Sequence, residues 1–133
     1  MAEYIKYSDK NPLDAGEETV VRFMKADGVT TKVGSKDIEN LVVLIKGNEA
    51  EGWAHLLKHY EQFKMAFGID SKEELKDLIS YTCSKGRTFV DNNRNVVIKY
   101  LKIDNKYCWV VISKDNKPGI IITAYPKSKF PKG

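Results

Sequence analysis

The sequence predicts an α+β domain: an N-terminal hairpin and helices packed on a C-terminal antiparallel β-meander. Three observations carry that expectation. Apolar residues recur at helical spacing through most of residues 35 to 85, then give way after Arg87 to short runs rich in Val, Ile, Tyr and Trp. Helices followed by strands, rather than alternating with them, fit a sheet with its helices segregated to one side. A length of 133 residues, 42% hydrophobic and 30% charged, suits one domain with a core of its own, and no internal repeat breaks it up.

Residues 1–18 include Lys10-Asn11-Pro12 and Asp14-Ala15-Gly16, and read as a polar, loosely held lead-in. Thr19-Val20-Val21-Arg22-Phe23-Met24 and Val29-Thr30-Thr31-Lys32-Val33 flank Ala26-Asp27-Gly28. Two β-rich runs around Asp-Gly predict a hairpin, with a short helix over Glu17 to Lys25 as the alternative. Ser35 opens a predicted helix on which Ile38, Leu41, Val42 and Ile45 recur, ended by Gly47-Asn48. The next predicted helix, Glu49 to Phe67, collects Trp53, Leu56, Leu57, Tyr60, Phe63 and Phe67 on an apolar face, with Glu51, His55 and His59 as a polar stripe and Gly68 as its stop. Ser71 with Glu74 forms a capping box ahead of a third helix carrying Leu75, Leu78 and Ile79. Val96 to Ile103, Tyr107 to Ser113 and Gly119 to Tyr125 then read as meander strands, with Arg87 to Val90 as a further one. In the last strand, alternation puts Ile120, Ile122 and Ala124 toward the core and Ile121, Thr123 and Tyr125 on the other face. Residues 127–133 form a basic tail broken by proline.

The charge is uneven. Residues 1–80 hold 11 Lys and Arg against 15 Asp and Glu, whereas residues 81–133 hold 11 against 3. A basic C-terminal part of this kind attracts a polyanion, since each phosphate neutralised releases counterions. No apolar run approaches the roughly 20 residues of a membrane helix, and the N-terminus lacks a signal-peptide layout. The expected setting is the cytoplasm, reached if necessary as part of a larger chain. Cys83 and Cys108 are not in ligand-like spacing and read as buried thiols.

Both histidines, His55 and His59, fall four positions apart, so a helix places them on one face roughly 6 Å from each other. Histidine alone has an ordinary pKa, about 6.5, from which it can give and take a proton near neutrality. Cleaving RNA by internal transesterification needs a base for the 2′-OH, an acid for the departing 5′-oxygen and donors for the crowded phosphorane, with no metal or cofactor. The histidines suit the first two roles. Thr123, Tyr125 and basic residues such as Arg87 or Lys99 suit the third, with Lys102 and Lys127 among the lysines expected on the RNA backbone. A zinc site on Glu51, His55 and His59 is disfavoured, because one straight helix spreads them over about 12 Å.

The stretch Gly52-Trp53-Ala54-His55-Leu56-Leu57-Lys58-His59 and, much later, Gly119-Ile120-Ile121-Ile122-Thr123-Ala124-Tyr125-Pro126 resemble the G-x-x-H-x-x-x-H and terminal I-T-A-Y-P signatures of the Barnase-EndoU-colicin-RelE-like (BECR) ribonuclease superfamily. The likeness is to its phage and polymorphic-toxin branches and spans about residues 35 to 126. It implies a BECR-like fold and a metal-independent endoribonuclease, often a toxin acting on tRNA or other structured RNA and held in check by an immunity protein or antitoxin. Carried over by position, it points to His55, His59, Thr123 and Tyr125. Where such families usually have arginine before the second histidine, this chain has Lys58, which keeps the charge without the planar two-pronged donor. The competing expectation is a non-catalytic RNA-binding or toxin-system interaction module, which accounts for the basic half but not for the paired histidines.

Overall fold

The computed structural model describes residues 19–33, 35–115 and 117–132; the lead-in expected over residues 1–18 lies outside them. The chain opens with a two-stranded antiparallel sheet of β1 (Val20–Val33) and β2 (Lys36–Ile45). Next come a short helix α1 (Trp53–Leu56), a 3-10 turn (Leu57–His59), α2 (Tyr60–Phe67) and α3 (Lys72–Lys85). Strands β3 (Arg87–Asp91), β4 (Val96–Ile103), β5 (Lys106–Ser113) and β6 (Ile121–Lys127) complete a four-stranded antiparallel sheet in chain order. This is the α+β architecture with a C-terminal meander that the change of periodicity predicts. The Ser71 half of the capping box is in place, its hydroxyl accepting from the Glu74 N–H, while the Glu74 carboxylate reaches one residue past the cap to accept from the Asp70 N–H.

The N-terminal third departs from expectation in two ways. Asp27-Gly28 is not a hairpin turn but a bulge inside one long strand, in which residues 26 to 29 stand opposite Asn40 alone. Gly28 has the positive φ, +82°, that a turn signal supplies, and its N–H donates to the Asn40 Oδ1 over 3.0 Å. The chain actually reverses between Val33 and Lys36. The helix expected from Ser35 to Gly47 is instead β2. Its run Val42-Val43-Leu44-Ile45 is buried at every position, as a strand is when both of its faces are covered. A helix would have turned part of that run to solvent.

The helix expected over Glu49 to Phe67 is also interrupted. Gly47 and Gly52 bring the backbone back on itself, so α1 starts only at Trp53, and the 3-10 turn at Leu57–His59 separates it from α2.

One face of the meander builds the main core. Val97, Cys108, Val110, Ile112, Ile121 and Ala124 meet Leu75, Ile79 and Cys83 of α3, Trp53, Leu56 and Phe63, and Val21, Met24, Val42 and Leu44 of the hairpin. Both cysteines are free and buried, as expected; burial pushes the Cys83 thiol far up and the Cys108 thiol up to about 12, so neither is a nucleophile near neutrality. Arg22 ties the hairpin to α3 through Asp77 and Glu73, each at 2.8 Å. The hairpin reaches the meander where the Val43 N–H donates to the Gly119 carbonyl at 2.9 Å. Gly119, at φ +82°, lies so close to Thr31 that a Cβ there would overlap its side chain.

The other face of the meander carries Ile98 and Val111 with Phe89, Tyr100, Trp109, Ile122 and Tyr125 packed about them. A bulge corrects the expected phase of β6. Val111 pairs with Thr123 and Ile112 with Ile121, leaving Ile122 as the extra residue. Ile121 therefore joins Ala124 in the main core, while Thr123 and Tyr125 share the second face as expected. The tail is not loose over its described part: the Trp109 Nε1–H donates to the Lys129 carbonyl at 3.0 Å, and Pro131 is buried.

Candidate active site

The histidines are placed by the loop that precedes them. Asn48 organises it, its Oδ1 accepting from the Ala50 N–H at 2.7 Å and its own N–H donating to the Glu51 carbonyl at 2.9 Å. Gly52 then has φ +85° and ψ −161°, a region open essentially to glycine alone. A Cβ there would stand 2.9 Å from the Gly47 Cα and 3.0 Å from the Ile45 carbonyl oxygen. In this conformation the Gly52 N–H donates to the Ile122 carbonyl at 2.9 Å, fixing the start of α1 to β6 beside Thr123. Trp53 and Leu56 anchor the same turn in the core. His55 and the following 3-10 turn are thereby held against the β6 edge of the meander.

His55 directs Nδ1 at the Glu49 carbonyl oxygen, 2.7 Å away. A carbonyl only accepts, so Nδ1 carries the hydrogen and Nε2 is the nitrogen left for proton exchange. The His59 ring stands edge-on to His55, centroids 5.5 Å apart, and also meets the Tyr125 ring edge-on at 5.9 Å. Burial lowers the His59 pKa below 6.5; the neighbouring His55 and Lys58 charges act the same way, against the Gln62 side chain, which raises it. His59 is therefore held neutral at neutral pH. Two buried polar atoms lack a hydrogen-bond partner among the described residues, Nδ1 of His59 and Oγ1 of Thr123. Both belong to residues the sequence singles out.

The second sheet face continues from this pair in cross-strand rows. Tyr125 lies beside Trp109, then Tyr100, then Arg87, while Thr123 heads the row through Val111, Ile98 and Phe89. Lys127 sets its ammonium 4.9 Å from the Tyr125 ring centroid and 5.5 Å from that of Trp109. Arg94, in the turn between β3 and β4, hydrogen-bonds Asp91 at 3.0 Å and also interacts with the Tyr125 hydroxyl.

Of the expected site residues, His55, His59, Lys58, Thr123, Tyr125 and Lys127 gather at the junction of α1, the 3-10 turn and β6. Lys58 is exposed and pairs with Glu49 at 3.3 Å. Arg87 and Lys102 lie farther along the same sheet face and are exposed. Lys99 does not belong with them. It pairs with Thr88 and Val110 across the sheet, points to the core side, is 1% exposed and donates to the Thr88 Oγ1 at 2.6 Å. Burial lowers its pKa, and an ammonium so enclosed has no reach to a phosphate in solvent. Strand alternation alone would have put it opposite Ile98 and Tyr100.

Two residues were missed. Trp109 was within reach of sequence reasoning, because alternation along β5 places it on one face with Tyr107. Arg94 was not, since it is set by the turn at residues 92–95 and not by any spacing. Glu51 pairs with Lys117 at 3.2 Å, and among the described residues no three His, Cys, Asp or Glu side chains cluster to hold a metal ion. Nor, among them, is any helix long and apolar enough to cross a membrane.

No family model matches the chain, and neither a curated protein nor a solved structure matches it significantly.

Proposed function

We propose that the protein is a metal-independent endoribonuclease that cuts RNA, tRNA or another structured RNA, by internal transesterification. What supports this reading is the pair of histidines in unlike environments, one with its proton position set by a carbonyl and one kept neutral by burial, the latter in contact with the Tyr125 ring. His59, neutral, takes the 2′-OH proton. The 2′-oxygen attacks phosphorus, the bond from phosphorus to the 5′-oxygen breaks, and His55 Nε2 delivers a proton to that leaving oxygen. Tyr125, Arg94 and Lys127 supply hydrogen bonds and positive charge to the phosphorane, while Thr123, its Oγ1 buried, lies two residues from Tyr125 on the same sheet face. The products are a 2′,3′-cyclic phosphate and a 5′-hydroxyl. The resemblance carried by the same two motifs extends the proposal to a toxin-type role in the cytoplasm with a protein inhibitor as partner.

Incubating the purified protein with total RNA and EDTA tests this. Cleaved RNA is expected; RNA retarded on a gel but intact would make the protein a binding module instead.

The proposal also fixes a pH dependence. As the base, His59 must be unprotonated, so kcat/KM should fall on the acid side with an apparent pKa below the ordinary 6.5. Its effect on stability has a definite sign. A histidine with a lowered pKa in the fold is protonated first in the unfolded chain, so stability is unaffected above about pH 6.5 and declines below it until the folded pKa is reached. A pH–rate profile whose acid limb lies above 6.5 would remove His59 from the role of base.

A further inference from the structure

The aromatic and basic residues of the second sheet face continue well past the histidines. From Tyr125 and Trp109, centroids 5.9 Å apart, the surface passes to Tyr100 next to Trp109, then to Tyr107 at 6.3 Å from Tyr100 and to Phe130 at 6.1 Å from Tyr107. The tail, held by the hydrogen bond from Trp109 to Lys129, folds Phe130 over this end of the sheet. The result is a cleft of about 430 Å³ lined by Arg87, Tyr100, Leu101, Lys102, Tyr107 and Phe130. A second, of about 270 Å³, shares Lys102, Tyr107 and Phe130 with it and adds Lys129 and Lys132. Phe130 remains 50% exposed, so much of its ring is available to a ligand. The four cations named here, Arg87, Lys102, Lys129 and Lys132, are all exposed.

Aromatic faces alternating with cations in a groove recognise single-stranded nucleic acid: the bases stack on the rings while Lys and Arg follow the phosphates. A duplex cannot use such a surface, because its bases are already stacked on one another. An acidic protein would meet the cations but would leave the ring faces without a flat partner. We propose that this double cleft is a subsite for unpaired nucleotides flanking the cut, in which a base stacks against Tyr107 and Phe130 while Arg87, Lys102 and Lys129 bind the neighbouring phosphates. The inference rests on the ribonuclease reading, and it narrows the substrate to the unpaired loops or single-stranded stretches of an RNA.

The test measures binding, in a His55→Ala/His59→Ala background that cannot cut, of a fluorescent oligouridylate, the matching RNA duplex and a polyglutamate competitor. Unpaired RNA should bind more tightly than duplex. Phe130→Ala and Tyr107→Leu should each weaken it by about 10-fold or more, the loss of one stacked base. Lys102→Gln should reduce the salt slope by about 0.7, the share of one phosphate contact on a single strand. Circular dichroism of each variant, matching that of the parent, keeps a folding defect from passing as a binding one. An unchanged Kd in both aromatic variants would overturn the subsite, as would equal binding of duplex or equal competition by polyglutamate. Should the histidine-intact protein leave RNA uncut while the aromatic variants still lose affinity, the catalytic reading fails and the subsite stands.

Discussion

Replacing His59 by alanine is expected to slow RNA cleavage by about 10²–10⁴-fold, the usual contribution of one proton-transfer group. The His55→Ala variant should lose activity on the same scale. Neither change should unfold the protein. His59 is only partly buried and leaves its Nδ1 without a hydrogen bond among the described residues, and the hydrogen bond made by His55 goes to an exposed loop carbonyl. Because the two histidines act on opposite ends of one reaction, the double variant should be little worse than the poorer single variant. The check is single-turnover cleavage of a labelled RNA by the three variants, with thermal melts beside it. Wild-type rates in both single variants would show that the histidines carry no part of the chemistry.

Gly52→Ala should do as much damage without touching a reacting group. The alanine must adopt φ +85° and ψ −161°, at a cost of about 1–3 kcal/mol for the backbone alone. Its Cβ must also displace the Gly47 backbone, 2.9 Å away. Relief of that overlap breaks the link from the Gly52 N–H to the Ile122 carbonyl, which holds α1 to β6. Urea unfolding should therefore show a lower midpoint. Activity should fall even in conditions where the variant is fully folded, because His55 moves relative to Thr123 and Tyr125. A variant as stable and as active as the parent would mean that this glycine does not position the site.

The same glycine marks a limit of sequence reading. Helical periodicity carries the expected helix from Glu49 straight through Gly52, whereas the φ of +85° there delays α1 to Trp53. The Ser71 cap and the meander strands are accessible, being set by residues close in sequence. β2 is not. Ile38, Leu41, Val42 and Ile45 fit a helical stripe, and only pairing with β1 and burial on both sides decide for a strand. Asp27-Gly28 supplied the positive φ correctly but not its use, since a bulge and a turn ask the same of a glycine. On β6, one extra residue at Ile122 reversed the side on which Ile121 lies while leaving Thr123 and Tyr125 together. Lys99 illustrates the limit of charge counting: a lysine adds to the net charge of a segment whether it faces solvent or, as here, the core.

The central claim is that the two histidines pass protons in a transesterification by the 2′-hydroxyl. The most direct test of it is the chemistry of the cut ends, read by mass spectrometry on a short RNA cleaved in EDTA. The account predicts a 2′,3′-cyclic phosphate on one fragment and a 5′-hydroxyl on the other, with no cleavage of the all-deoxy version of the same oligonucleotide. Fragments bearing 5′-phosphates, or a deoxy substrate cut at the same rate, would contradict it.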